Sequence, residues 1–513
     1  MSQRGGDIAA KRAKSSDDGV GDAAGEDLLS ALPDDIIVLI LLRLDTAAAV
    51  RTSALSRRWR RVWVLLPELR FHLAPDGPRI REVLDAPEAP ELRCLSVTTE
   101  GAGPDSAAAW LPVAARRLAG GLVYHNMVPG NDDDDDEEAV GRGELQLPCF
   151  KKATTIELNM GFLGLALPSP GVFARLTELS LRCIRFRGPC VLGEVVSSPR
   201  CPFLKKLEVR DSRGLHNLSI HSESLLQMKL KNLHRFRQLI IVSPILQELS
   251  VDNCFLDDDP SELVANISAP QLVTLEWKDV YDPRYVHLGN LGQLQWLATR
   301  YFCVYGGGHA HRDKNRHCLR LLQQFHALHT LKLTLLYLQD IGDFQYLMGD
   351  ITMLPQISHL QLVVWNEGLA HAFGASTFHL LRMYAGLRSL LFFLAAGSNL
   401  ESTCPSGCIC DQPMIWKTEG LVLNHLEYAF MYCLQGSGHE VIFAKQLLNW
   451  APTLKSMRIT FNHQISESKA REFCQALAGF SRPETYVKFY KFGDASKSSS
   501  IPLLAPEGQD TEL

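Results

Sequence analysis

Three closely spaced cysteines are the clearest candidates for chemistry in this sequence of 513 residues. Cys404, Cys408 and Cys410 could bind zinc through their thiolates. His425 or Cys433 could then supply a fourth ligand. The CxxxCxC spacing is not among the commoner spacings of structural zinc sites, and the intervening Pro-Ser-Gly also suits an ordinary loop. We therefore prefer a metal-free loop, expect no cofactor, and keep zinc as the alternative.

A second group of possible metal ligands lies in GGGHAHRDKNRHC, residues 306–318. His309, His311, His317 and Cys318 could bind a transition metal, as histidine-rich tracts do. The tract lies in the longest interval of the repeat pattern described below, so we interpret it as a polar loop. Its glycines are not followed by Lys-Ser/Thr, which excludes a phosphate-binding loop of the Walker type.

An acidic run, NDDDDDEE at 131–138, could bind calcium or a basic partner. Calcium loops interleave glycine and place acids at alternate positions, and this run does neither. Like charges repel and cannot pack, so the run predicts a disordered loop over 129–143.

Catalytic motifs are missing from the sequence. It contains no G-x-S-x-G elbow, H-E-x-x-H pair, Walker motif or protein-kinase set. We therefore expect that the chain is not an enzyme, and we assign no catalytic residue.

The segment ALSRRWRRVW, residues 54–63, places two tryptophans among four arginines. Aromatic and basic residues together could form a surface on which nucleic-acid bases stack. On a helix, however, the arginines fall on the side opposite to one apolar arc. The residues of that arc are Leu55, Trp59, Val62, Trp63 and Leu66. This separation favours a helix that packs through its tryptophans, and we expect no nucleic-acid partner.

The composition agrees with that exclusion. The formal net charge is −5, which is not the basic footprint of a polyanion binder, and 46% hydrophobic residues suffice for a large core. The thirteen cysteines are scattered and odd in number, which favours reduced thiols and a cytoplasmic or nuclear protein.

The sequence predicts no association with a membrane. Its longest apolar runs, 36–42 and 390–396, are too short to span a bilayer. Residues 1–26 lack an apolar signal-peptide core and predict a disordered tail. The KRAK at 11–14 could be a nuclear address, but a solvated charged tail is the preferred interpretation.

Residues 27–71 form the first predicted module. Pro33, followed by two aspartates, marks a helix start, and Asp45 or Thr46 and then Ser56 are expected to cap two further helices. The helix over 36–42 is apolar on every side, yet the module is too small to bury it. Another surface must therefore cover it.

LPDDIIVLILLRLDTAAAVRTSALSRRWRRVW, residues 32–63, resembles the F-box of plant proteins. The family pattern has Leu-Pro, an Ile/Leu-rich helix, Val-Arg-x-Ser-x-Leu-Ser, and Arg-Arg-Trp with a second Trp, and every part is present. The resemblance implies docking onto a Skp adaptor and, through it, a cullin scaffold. The expected adaptor-binding residues are Leu32, Pro33, Ile36, Ile37, Ile40, Leu41, Leu44, Val50, Ser53, Leu55, Trp59 and Trp63.

A loose L-x-x-L-x-L template recurs along the chain. Each copy predicts a short strand with alternating buried positions, followed by a turn and a helix. The copies begin at residues 92, 153, 176, 204, 225, 246, 272, 294, 328, 357, 387, 423 and 454.

This pattern resembles an irregular leucine-rich-repeat solenoid, which we expect over 80–400. One repeat cannot bury its own apolar face, so the repeats must stack. The Asn/Cys that usually follows the strand is clear only at Cys254, and the 294–328 interval indicates an insertion. An ordinary α/β domain with amphipathic strands is the alternative.

Residues 421–461 resemble the FBD region at the end of many plant F-box/leucine-rich-repeat proteins. A strand, a helix and another strand are predicted there, with a closing helix before Pro483. We expect an FBD-like region over 401–490 and a loose tail over 491–513. The expected fold is thus α/β: a three-helix F-box, then the solenoid, then a C-terminal α/β cap.

The resemblances together imply the substrate-recognition subunit of an SCF-type ubiquitin ligase. The F-box would bind the Skp adaptor, and the strand face of the repeats would bind an unknown target protein. A leucine-rich-repeat scaffold that does not assemble a ligase is the alternative.

Overall fold

The computed structural model describes residues 32–491 and 501–502, apart from gaps at 74–76, 87–89, 129–142, 169–170, 188–191, 256–262, 343, 368, 397–401, 404–407, 412–413 and 481. The chain divides after Leu66 into two compact units, 1–66 and 67–513. The predicted N-terminal tail, acidic loop and most of the C-terminal tail lie outside the described residues. The domain bounds given above stay predictions.

Three short helices form the first unit. They are α1 (Asp34–Leu41), α2 (Thr46–Arg51) and α3 (Trp59–Val62). Pro33 precedes α1, and the Asp45 carboxylate caps α2 by accepting the Ala48 N–H at 2.6 Å. The predicted starts of α1 and α2 are confirmed, and each follows from a residue that suits the first helical turn. Helix α3 begins at Trp59 and not directly after the predicted cap Ser56, whose Oγ accepts the Trp59 N–H at 3.4 Å.

A small core holds these helices together. It comprises the buried residues Ile37, Leu41, Ala49, Trp59, Val62 and Leu66. The prediction that Leu55 joins the apolar arc is wrong, because its side chain is 66% exposed. A 3₁₀ turn at Thr52–Ala54 ends before α3 begins, so Leu55 is not on the same helix as Trp59.

The second unit is built on strands. In chain order they are β1 (Glu68–Phe71), β2 (Leu92–Glu100), β3 (Leu118–Met127), β4 (Glu144–Gln146), β5 (Thr155–Asn159), β6 (Gly164–Ala166), β7 (Glu178–Arg182), β8 (Lys206–Arg213), β9 (Asn217–His221), β10 (Gln227–His234), β11 (Gln238–Val242), β12 (Glu248–Asp252), β13 (Val264–Ser268), β14 (Thr274–Lys278), β15 (Val286–His287), β16 (Trp296–Cys303), β17 (Tyr305–Gly306), β18 (Ala327–Tyr337), β19 (Gln345–Tyr346), β20 (Gln356–Asn366), β21 (Leu369–Ala370), β22 (Ser389–Ala396), β23 (Ser402–Thr403), β24 (Tyr428–Leu434), β25 (Ser456–Phe461), β26 (Tyr486–Lys491) and β27 (Ile501–Pro502).

A long parallel sheet dominates this unit. Its strands pair in the order β1, β2, β3, β5, β7, β8, β10, β12, β14, β16, β18, β20, β22, β24, β25 and β26. Among the strands of the described residues, only β27 joins it antiparallel, at β26. Every predicted L-x-x-L-x-L copy overlaps a strand of this sheet. The expected α/β class with leucine-rich-repeat-like strands is therefore confirmed.

A second, shorter parallel sheet replaces the expected helices over 217–287. Its strands pair in the order β9, β11, β13 and β15. The prediction of a helix in each of these repeats is wrong. Successive strands of the long sheet are here only 21 to 26 residues apart, and the connecting segments alternate apolar and polar residues at strand spacing.

α-Helices follow several of the other strands of the long sheet. They are α4 (Gly77–Leu84), α5 (Pro104–Arg117), α6 (Leu192–Val196), α7 (Gly308–Leu322), α8 (Gly374–Leu381), α9 (Gly438–Trp450) and α10 (Glu467–Ala478).

Helix α7 contradicts the predicted polar loop in the histidine-rich tract. Asn315, Cys318 and Leu322 are buried at helical spacing, and Asn315 bonds both the N–H and the C=O of Cys303. His317 Nδ1 lies 2.8 Å from the Tyr281 carbonyl oxygen, so this histidine has a structural partner. Because most residues of the tract are polar, the few buried positions on one side of this helix were not predicted from the sequence.

A side-chain ladder joins the ends of three neighbouring strands. The Asn232 amide donates to Asp211 Oδ1 at 2.7 Å, and the Asn253 amide donates to Asn232 Oδ1 at 3.4 Å. All three residues have positive φ, which Asn and Asp tolerate better than most residues. The regular spacing of 21 residues between them is the sequence feature that could have predicted this ladder. The template search found only the neighbouring Cys254.

The C-terminal region continues the long sheet through β24, β25 and β26. The first turn of α9 contains Glu440, which is 2% exposed. Its Oε2 accepts the N–H groups of Gln435, Gly436 and Ser437 at 2.8–3.2 Å. Burial raises the pKa of Glu440 to about 7.

We predict that this carboxyl makes stability depend on pH. The native state keeps the proton up to a pKa of about 7, whereas the unfolded chain loses it near 4.5. Between these values the native state binds more protons, so the free energy of unfolding should fall as pH rises, by on the order of 3 kcal/mol. Denaturant titrations at pH 5 and 8 would measure the change.

Glu440→Gln keeps an oxygen that can accept the three N–H bonds but cannot titrate. This variant should show a flatter pH dependence, and Glu467→Gln, which changes an exposed carboxylate, should not. Equal slopes for Glu440→Gln and the native chain would contradict the assignment.

Candidate functional site

Helix α1 exposes an apolar stripe. Ile36, Leu39, Ile40 and Leu44 are 38–59% exposed, and we call these four residues the apolar stripe. Ile36, Leu39 and Ile40 recur at helical spacing on α1 beside the buried pair Ile37 and Leu41, so the two sets divide the helix between them. Leu44 follows in the turn after the helix. Exposed apolar surface of this kind makes the stripe a candidate interaction site.

Arg58 fixes the start of α1. Its Nε donates to Asp34 Oδ1 at 2.7 Å, and its Nη2 donates to the Leu32 carbonyl oxygen. The Leu-Pro segment is thereby held against α3. The sequence assigned all four arginines to one solvated face, but only Arg57, Arg60 and Arg61 are exposed. Nothing in the local spacing distinguishes Arg58, because its partners lie 24 and 26 residues away.

The expected adaptor-binding residues fall into three groups. The buried ones are Ile37, Leu41 and Trp59. The half-buried ones are Leu32, Val50, Ser53 and Trp63. The exposed ones are Pro33, Ile36, Ile40, Leu44 and Leu55. Leu39, which is 59% exposed, is not among the expected residues, although it is three residues from Ile36 and therefore on the same side of the helix.

The strand face of the long sheet changes character along the chain. Over β5 to β14 its outward positions carry charges that pair across neighbouring strands. Arg182 lies 3.5 Å from Glu208, and Lys278 lies 3.4 Å from Asp252. Lys278 also lies 2.6 Å from Glu276 of its own strand. We call this region the charged half.

Aromatic side chains occupy the outward positions farther along the same sheet. Trp365, Tyr428 and Tyr486 are 49%, 42% and 53% exposed. Together with the half-buried Phe393, Phe430, Tyr432 and Tyr490 they form what we call the aromatic patch. The patch extends over five adjacent strands, β20 to β26, which is about 20 Å at the usual strand spacing.

Basic residues accompany the aromatic patch. The Arg458 guanidinium lies 4.1 Å from the centre of the Tyr490 ring, and the Lys488 ammonium lies 4.7 Å from that of Tyr486. Tyr, Trp and Arg are the residues that most often dominate protein interfaces. The sequence indicated the strand face but not these residues, because outward positions lie between the leucines that define the template.

The cysteine cluster has a partner that the sequence did not reveal. His371 Nδ1 and the sulfurs of Cys408 and Cys410 lie within 4.8 Å of one another. Neither His425 nor Cys433 belongs to this group among the described residues. Cys404 lies outside the described residues. His371 is 37 residues from Cys408, so short-range spacing could not identify it.

Comparisons with known proteins agree with the predicted resemblance. The F-box domain model matches residues 29–71, and a model of the leucine-rich repeats of the FBD-associated F-box protein At5g56370 matches residues 139–290. The predicted resemblance to plant F-box/leucine-rich-repeat proteins with an FBD-like region is therefore confirmed.

Three Arabidopsis thaliana relatives illustrate the range of similarity. The F-box/LRR-repeat protein At3g03360 is 52% identical over 14% of this chain and 15% of its own length. The F-box protein At1g60400 is 30% identical over 36% of this chain and 46% of its own. The F-box/FBD/LRR-repeat protein At3g52680 is 25% identical over 49% of this chain and 57% of its own. The chain spans less than two thirds of the length of the relatives that it matches.

Among the helices of the described residues, none combines the length and apolar character needed to cross a membrane.

The division of α1 into buried and exposed residues leads to a stability prediction. Ile37→Ala empties a fully buried position and should destabilise the first unit by about 2–4 kcal/mol. Leu39→Ala removes an exposed side chain and should change stability by less than about 0.5 kcal/mol. Amide hydrogen exchange of residues 34–62 in the full chain measures both effects, and equal protection in the two variants would contradict the division.

Proposed function

We propose that this chain is the substrate-recognition subunit of an SCF-type cullin ubiquitin ligase. The observation that carries the proposal is the apolar stripe, because it is exposed in the segment that matches the F-box domain. The proposed occupant of the stripe is a Skp adaptor, which joins the chain to a cullin scaffold.

Burial of the stripe would supply the docking energy. The three members of the stripe on α1 are Ile36, Leu39 and Ile40. Each can contribute about 1 kcal/mol or more when its side chain is desolvated against a complementary surface. Pro33 and Leu55 are also exposed and extend the proposed surface. The buried Ile37, Leu41 and Trp59 support it from beneath by fixing the position of α1.

In this proposal the chain itself catalyses nothing. It holds a target protein near the ubiquitin-conjugating enzyme that the cullin scaffold carries, and the mechanism is proximity. Two binding surfaces on one chain raise the effective concentration of a target lysine at the reactive thioester.

The proposed target surface is the aromatic patch. Trp365, Tyr428 and Tyr486 offer large, partly exposed rings with few rotatable bonds, which lose little entropy on binding. In the charged half, by contrast, a target would have to compete with existing cross-strand ion pairs. The target is expected to be a protein and not a nucleic acid.

The alternative function is a leucine-rich-repeat scaffold that binds partners without assembling a ligase. It shares the aromatic patch and differs only in the occupant of the apolar stripe. The adaptor experiment therefore separates the two functions.

We predict that Ile36→Ala/Leu39→Ala/Ile40→Ala weakens binding of a plant Skp adaptor at least tenfold, since central apolar anchors carry most of the energy of such interfaces. Co-purification followed by an affinity measurement on the full chain would test it. Trp59 is unsuitable as a target for mutation, because it is only 6% exposed and its loss would confound folding with binding.

The matched control is Arg57→Ala/Arg60→Ala/Arg61→Ala, which changes three exposed residues of the same unit. This control should keep the native affinity to within about threefold. If the folded native chain does not bind the adaptor, the ligase function fails and the scaffold alternative takes its place.

A second prediction concerns the target. A photo-crosslinking amino acid at Trp365 or Tyr486 should capture proteins that gain ubiquitin only when the apolar stripe is intact. The same probe at Arg182 or Lys206 in the charged half should capture markedly less. Capture confined to the charged half would contradict the placement of the target.

A further inference from the structure

The group His371, Cys408 and Cys410 has the geometry of a metal site. Cys408 Sγ lies 3.5 Å from His371 Nδ1, and all three ligand atoms lie within 4.8 Å of one another. Around a tetrahedral zinc ion, ligand sulfur and nitrogen atoms are about 3.6–3.8 Å apart. A shift of about 1 Å or less would therefore bring the three atoms into coordination distance of one ion.

The remaining contacts of these residues orient the ligand atoms toward one another. His371 Nε2 lies 3.1 Å from the Leu338 carbonyl oxygen, which can only accept, so Nε2 carries the proton and Nδ1 presents its lone pair to Cys408. A backbone carbonyl in this position is the usual outer partner of a metal-binding histidine. The Ala372 N–H donates to Cys410 Sγ at 3.3 Å, a bond that favours a thiolate.

The surroundings hold the group in place. His371 is 4% exposed and Cys410 2% exposed, and the imidazole stacks on the Tyr337 ring with centres 5.9 Å apart. The Tyr305 hydroxyl donates to the Ile409 carbonyl oxygen at 3.0 Å, between the two cysteines. Two buried ligands and a fixed turn distinguish this group from an exposed cysteine pair.

The same two chain segments meet again nearby. Trp416 is 1% exposed and lies against Gly374, where any Cβ would collide with the indole ring. Strand β21, just before His371, pairs in parallel with β23. The segment after β22 is therefore fastened at three points to the segment from β21 to the start of α8, and the ligand group is one of them.

We propose that His371, Cys408 and Cys410 bind a structural zinc ion. On binding, each thiol releases one proton to solvent, and two thiolates with a neutral imidazole balance the charge of Zn²⁺. The three residues leave one coordination position for a further donor. This proposal departs from the expectation of a chain without cofactors, and it is independent of the ligase function.

The ion would connect segments 37 residues apart in the sequence, His371 before α8 and the cysteines after β22. Closing a loop of that size limits the unfolded chain, and the coordination bonds oppose local opening. Removal of zinc should therefore loosen residues 408–417 first.

The test is the zinc content of the full chain, purified under reducing conditions with zinc supplied and measured by mass spectrometry. We expect about one zinc per chain. His371→Ala, Cys408→Ser and Cys410→Ser should each lower the zinc content at least tenfold. Cobalt substituted for zinc should give a thiolate-to-cobalt charge-transfer band that is lost in the same variants.

The matched controls are His425→Ala and Cys433→Ser, which should keep the zinc. Because a buried variant could misfold, the native chain is also treated with a chelator, and hydrogen exchange of residues 408–417 should then increase. Three results would each overturn the proposal. The folded native chain could contain no more zinc than the background, all three ligand variants could retain zinc, or a disulfide could join Cys408 and Cys410 in place of the metal.

Discussion

Hydrogen bonding between parallel strands of successive repeats is the interaction on which the second unit depends. A single repeat presents leucines on one side of a short strand and has nothing of its own to cover them. Pairing with the next strand in register aligns those leucines into continuous rows, as Leu207, Met228 and Leu249 show. Strand pairing alone fixes the spacing between successive repeats. The segments that connect the strands of the long sheet therefore vary between strands of a second sheet and helices.

The sequence predicted the strands well, because alternation of buried and exposed residues is local information. It predicted poorly the segments that connect one strand of the long sheet to the next. The connecting strands β9, β11 and β13 contain only five residues each, and α7 buries a narrow stripe within a polar tract. What occupies the back of a repeat depends on the length and packing of its neighbours, which no single window of sequence contains.

The same limit applied to the candidate sites. The F-box pattern identified the segment but not which side of α1 is exposed, since Ile37 and Ile40 are equally apolar and differ only in what α3 covers. Arg58 and His371 were missed because their partners are distant in sequence. Residue type and spacing thus identified the segments that carry candidate site residues, whereas the fold determines which side chains are in contact.

The ladder of Asp211, Asn232 and Asn253 has a consequence for how this chain can change over generations. Both sheets advance by the same 21 residues from β8 to β10 and from β9 to β11. Loss or duplication of one such 21-residue unit would leave the ladder, both sheets and the leucine rows in register. Recombination within the coding sequence could therefore lengthen or shorten the strand face of the second unit by one step without designing a new core.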